Sequence, residues 1–141
     1  MRSAIATPLV ALILAACGAG SGGGQSPPQG LVPTLASIQA NVFTPICAKS
    51  GCHGGAMAQQ GLQLDAGFSY GNLINVASPQ DPSLTRVIPF DPDNSLIIQK
   101  LEGRRFDNAP ILGERMPDKG PYLQQSTIDV IRLWIANGAQ Q

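Results

Sequence analysis

Histidine occurs once in the 141 residues, as His53, and cysteine three times, as Cys17, Cys47 and Cys52. So sparse a set limits the chemistry open to the chain. A closed structural zinc site wants four protein ligands, and His53 with Cys47 and Cys52 falls short of that. A catalytic thiol wants a base to activate it, and no histidine other than His53 exists. Aromatic residues make up only 5 % of the chain. That is thin for a core built from side chains alone, and a buried flat apolar group would fit the shortage without being shown by it. Formal net charge is zero, and the basic residues form no stripe. Nucleic-acid binding therefore has little support. Hydrophobic residues reach 43 %, enough for one packed domain of ordinary size.

No apolar run is long enough to span a bilayer as a helix. The longest, Ile5 to Ala16, is broken by Thr7 and Pro8 and follows the single positive charge of Arg2. This is the layout of an export signal. It ends in Leu14-Ala15-Ala16-Cys17-Gly18, which resembles the lipobox of bacterial lipoproteins. The resemblance implies cleavage after residue 16 and acylation of Cys17, which becomes the mature N-terminus. An ordinary secretory signal is the alternative. Several acyl chains anchor a protein stably where one does not. With Gly18 rather than aspartate after the lipidated residue, the resemblance implies the periplasmic face of the outer membrane. A soluble periplasmic protein is the alternative location.

Residues 17–30 comprise Cys17 and a tract of glycine, serine, proline and glutamine with no core-forming capacity. As a random coil the tract after Cys17 reaches about 20 Å, and pulled straight roughly 45 Å. It reads as a tether. The folded domain is expected over residues 31–141. Thr34 is a candidate N-cap, with Leu35, Ile38 and Val42 following at helical spacing and Phe43 beside them. Pro45 is expected to end this helix at Thr44. Residues 54–93 read as loops and turns, with one helical turn around Tyr70 to Ile74. Gly61-Leu62-Gln63-Leu64 alternates too briefly for a strand. A second helix is expected over residues 95–101, capped by Asp93 or Asn94 and stopped by Gly103. Residues 104–122 read as loop. The last helix is the clearest, with Ser126 as N-cap, Asp129 completing an acidic capping box, and Ile128, Ile131, Trp134 and Ile135 on one face. Asn137-Gly138 supplies its stop.

The chemistry concentrates in Cys47-Ala48-Lys49-Ser50-Gly51-Cys52-His53. In an exported protein the two thiols form a disulfide, bind metal or carry a cofactor. Two thiols followed at once by a histidine suit covalent haem attachment. The thiols bond the two vinyl groups on one porphyrin edge, and the imidazole swings under the iron. The usual motif has two residues between the cysteines, whereas this chain has four. The longer loop requires a bulge, which Gly51 and the small Ala48 and Ser50 permit. C-x4-C-H resembles a minority variant of the c-type motif. A Cys47–Cys52 disulfide with His53 as a polar neighbour is the competing reading.

A second axial ligand is sought among the methionines. Met57 lies four residues after His53, on the same local segment, and reads as a surface residue. Met116 lies in Gly113-Glu114-Arg115-Met116-Pro117, where the proline biases Met116 toward an extended backbone. Its thioether is the candidate ligand, with gap-filling core as the alternative.

The order of these pieces resembles class I cytochromes c, and more closely the cytochrome c-like domains of planctomycete and myxobacterial secreted proteins. The residues carrying the resemblance are Cys52-His53, Gly61-Leu62-Gln63-Leu64, Pro92-Asp93-Asn94-Ser95-Leu96, Lys100-Leu101, Arg115-Met116-Pro117 and Ile131 to Ala139. They run through nearly all of the expected domain. The resemblance implies an all-α, class I-like domain with long loops wrapped around one covalent haem c. The first and last helices would cross near Phe43 and Trp134. Cys47 and Cys52 would attach the haem, and His53 and Met116 would ligate its iron. The function implied is single-electron transfer to redox proteins of the periplasm, with the membrane engaged through the N-terminal lipid. Whether the chain is an enzyme stays open, with an electron carrier the favoured reading. Arg86, Lys100, Arg104 and Arg105 are candidates to meet the haem propionates or an acidic partner, each with solvated surface charge as its alternative. Two other functions stay open. One is a haem sensor or peroxidase-like protein with a labile Met116. The other is a haem-free lipoprotein stapled by a disulfide.

Overall fold

The structure is a computed structural model that describes residues 28–141. The expected signal segment and the lipidation candidate Cys17 lie outside the described residues. Among those described, the fold is all-α, with four α-helices and no strands beyond isolated bridges such as Ile74 with Val87. No described helix is long and apolar enough to cross a membrane.

Helix α1 covers Leu35–Ile38 and starts where the sequence places it, with the Thr34 hydroxyl accepting a hydrogen bond from the Ser37 N–H. It does not stop at Thr44. The chain continues as a π-helix over Gln39–Cys47, with Pro45 inside it. Proline lacks an N–H, and its ring presses on the carbonyl four residues back. A π turn is wider and bonds five residues back, as the Ala48 N–H does to the Phe43 carbonyl at 2.7 Å. The wider turn makes room at the Asn41 carbonyl, so the helix passes through the proline and delivers Cys47 at its last position.

Helix α2 is the short Ser69–Leu73 turn. Helix α3, Leu96–Glu102, begins after Ser95 rather than after Asp93 or Asn94. The Ser95 hydroxyl is turned away from the helix N-terminus, donating to the Asp91 carbonyl and accepting from the Ile88 N–H. It pins the incoming loop and caps nothing. Gly103 stops α3 in the left-handed region at φ 73°, as helix C-termini favour.

Helix α4, Gln125–Ala136, starts one residue before the expected cap. Ser126 therefore falls inside the first turn and its hydroxyl is left without a hydrogen bond. Asp129 instead accepts from the Gln125 side chain. The apolar face is as the spacing requires, with Ile128, Ile131, Trp134 and Ile135 all at most 1 % exposed. Each buried side chain of this kind contributes about 1.5–3 kcal/mol relative to exposure. They join Ile38, Val42, Phe43, Leu73 and Ile98 in one apolar cluster. Helix α4 packs on α3, and Arg132 of α4 ties the pair by bonding both Glu102 and Asp93. A small pocket beside this tie is lined by Ile98, Gln99 and Phe106. On the other side, between the π-helix, α3 and the loops, the core opens into a cavity.

Candidate functional site

The loop after the π-helix folds back on itself through its own backbone. The Cys47 carbonyl accepts from the N–H groups of Lys49 (2.8 Å) and His53 (3.2 Å). The Lys49 carbonyl accepts from those of Cys52 (2.9 Å) and Gly54 (3.1 Å). The four residues between the cysteines thus form a compact double turn, with Gly51 at φ 79° supplying the left-handed corner. Gly54 passes so close that a Cβ there would lie 2.6 Å from the Ala48 carbonyl oxygen. Downstream, the His53 carbonyl accepts from the Leu64 N–H and the Asp65 carboxylate from the Gly55 N–H. His53 is therefore fixed from both sides.

The cavity has a volume of about 580 Å³, within the range of small-molecule and cofactor sites. It is a cleft open to solvent and not a closed void. Its apolar wall includes Phe43, Leu64, Leu73 and Leu101. Cys47, Cys52, His53 and Met116 all line it. Residues from the end of the π-helix, its following loop and the segment before α4 are thus brought to one place. Met57 does not line it and is 91 % exposed.

The two thiols are not bonded to each other. Cys52 is exposed, whereas Cys47 is half-buried, and burial with the neighbouring Cys52 pushes its thiol up to about 11. His53 is half-buried with Nδ1 buried and unpartnered. Burial holds its pKa below the ordinary value, and the charges of Arg86 and Lys100 add to this. The backbone of Leu62 and Gln59 opposes it without completing a bond to Nδ1. A neutral imidazole in an apolar wall is the form that donates a lone pair to a metal. Among the described residues no three His, Cys, Asp or Glu side chains converge on one point.

The structure sorts the four cationic candidates. Arg104 and Arg105 lie away from the cavity and pair with Glu102 and Asp107. Arg86 and Lys100 line it. Arg86 is only 7 % exposed. It donates to the carbonyls of Asn72 (2.8 Å) and Gln60 (2.7 Å) and makes no ion pair among the described residues. Burial lowers its pKa. The sequence hinted at this only through the apolar company of Leu84, Val87 and Ile88. Gly54 and Asp65 carried no comparable signal, because their roles depend on the path of the loop.

The cavity is thus lined by two thiols, a neutral imidazole, a soft thioether, an apolar wall and two cations without ion-pair partners among the described residues. Compared with models of protein families, with curated proteins and with solved structures, the chain finds no match.

Proposed function

We propose that the chain is a monohaem c-type cytochrome of class I-like form, carrying single electrons in the bacterial cell envelope. The observation that supports this best is the common cavity of Cys47, Cys52, His53 and Met116. The residues present fit a covalent haem. Cys47 and Cys52 would hold it by adding their S–H groups across its two vinyls. His53 would hold the iron through an imidazole nitrogen and Met116 through its thioether sulfur. Arg86 and Lys100 would meet its two carboxylates, which answers the otherwise uncompensated buried guanidinium. When bound, haem supplies a one-electron couple, its iron passing between the ferric and ferrous states.

The chain's own part is to bind, shield and tune. A thioether ligand favours the ferrous state more than a second imidazole does. With His53 and Met116 both committed to the iron, the chain would leave a substrate no place there, which suits electron transfer rather than turnover. Cys52 is exposed, so a haem attached there would be within reach of redox proteins of the periplasm. Acylated Cys17 and the tract to residue 30 would hold the domain on the membrane.

Substitution of the two ligands tests the reading. His53→Ala is expected to abolish the low-spin spectrum. Met116→Ala is expected to keep haem attached but lose the Met–Fe(III) charge-transfer band. A Met116→Ala protein that keeps the band moves the ligand role to another group. Rapid carbon monoxide binding to the ferrous wild type would favour a sensor or peroxidase-like protein instead.

A further inference from the structure

The last turn of any helix leaves carbonyls without intrahelical partners. At the end of α3 these carbonyls are taken up by the segment that carries Met116. The Lys100 carbonyl accepts from the Met116 N–H at 2.8 Å. The Leu101 carbonyl accepts from Arg115 Nε at 2.9 Å. Lys100 Nζ in turn donates to the Leu112 carbonyl at 2.7 Å. Arg115 is also gripped from two sides. Its guanidinium lies 4.2 Å from the centroid of the Tyr122 ring, within cation–π range. Its stem crosses Gly103 so closely that a Cβ there would lie 2.6 Å from Arg115 Cδ. The glycine that stops α3 is thus also the floor on which the arginine rests.

We infer that Arg115 is a positioning residue that holds Met116 at the cavity, seated on Gly103 and covered by Tyr122. This deepens the proposed function and rests on Met116 being the ligand. The chain from Leu112 to Tyr122 contains no helix, so its placement depends on these few bonds. Arg115 contributes three of the constraints at once: a charge-assisted hydrogen bond, a stacked ring and a close backbone contact. Lysine lacks both the Nε–H and the planar face, so it is a poor substitute.

The test uses the haem-loaded protein with two readouts. One is the Met–Fe(III) charge-transfer band with the midpoint potential. The other is hydrogen exchange at the Met116 amide, which needs no assumption about the iron. Arg115→Met and Arg115→Lys are expected to weaken the band and lower the potential. They are expected to speed exchange at Met116 about tenfold or more, the scale of one lost charge-assisted bond, without changing exchange at Ile131 or Trp134. Tyr122→Leu is expected to act in the same direction, and Tyr122→Phe, which keeps the ring, to resemble wild type. Because Tyr122 is 48 % exposed, this pair retains the test if the arginine variants do not fold. A wild type with the band, whose Arg115 and Tyr122→Leu variants leave both band and exchange unchanged, overturns the inference alone. A wild type without the band overturns Met116 as the ligand, and the inference with it.

Discussion

Replacing Gly54 by alanine would place a methyl carbon 2.6 Å from the Ala48 carbonyl oxygen and 2.9 Å from its carbon. Both are backbone atoms, so no side chain can swing aside. Gly54 lies outside the left-handed region, and the cost is contact alone. Overpacking of this kind costs typically about 1–3 kcal/mol. In a domain of this size each kcal/mol lowers Tm by about 4 °C. The contact sits in the turn that joins Cys47 to His53, so the same change should disturb haem attachment. Gly71→Ala is the control. It lies in α2 with no heavy atom within 4 Å of the added carbon, and is expected to stabilise by about 0.5–1 kcal/mol. Trp134 is the only tryptophan and is 1 % exposed, so its fluorescence follows unfolding in urea. Gly54→Ala at or above wild-type stability, with intact attachment, would refute the loop geometry.

Three further outcomes follow from the site. Arg86→Gln removes a buried cation beside the cavity, so it is expected to lower the midpoint potential measured by redox titration; an unchanged or raised potential counts against its place beside the haem. In protein made without haem, iodoacetamide at pH 8 is expected to label exposed Cys52 well before Cys47. Labelling of Cys47 should rise as pH approaches about 11, where its thiol ionises, and equal rates at pH 8 would contradict its burial. Hydrogen bonds from the Gly55 N–H and the Gln63 amide hold the Asp65 carboxyl below the usual carboxylate range. Its stabilisation is therefore present above the unfolded pKa of about 3.9 and is lost as pH falls through the lower folded value. Asp65→Asn should flatten the acid limb of a stability–pH curve, and an unaltered limb would contradict the clamp.

Those parts of the fold that depend on local spacing were legible in the sequence. The apolar face of α4, the Thr34 cap and the Gly103 stop follow from residues within one or two turns. Pro45 misled because its penalty assumes an α-turn, and the π-helix changes that geometry. Ser126 misled because the helix gained two residues at its start, with Gln124 at the cap position. At the site, Cys47, Cys52, His53 and Met116 could be named from motif and order. Arg86 could not be placed, since its burial comes from carbonyls at Gln60 and Asn72, far from it in the chain. The Arg115 clamp was hidden for the same reason: its partners, Leu101, Gly103 and Tyr122, meet only once α3 and its following loop are folded.

The most direct measurement is the intact mass, under denaturing conditions, of protein exported to the periplasm of a cell that matures c-type cytochromes. The account requires the mass of one haem added to the polypeptide and its N-terminal modification, surviving denaturation and absent from a Cys47→Ser, Cys52→Ser variant. A colourless protein lacking that addition and two hydrogens lighter, its downstream thiols joined to each other, would contradict it.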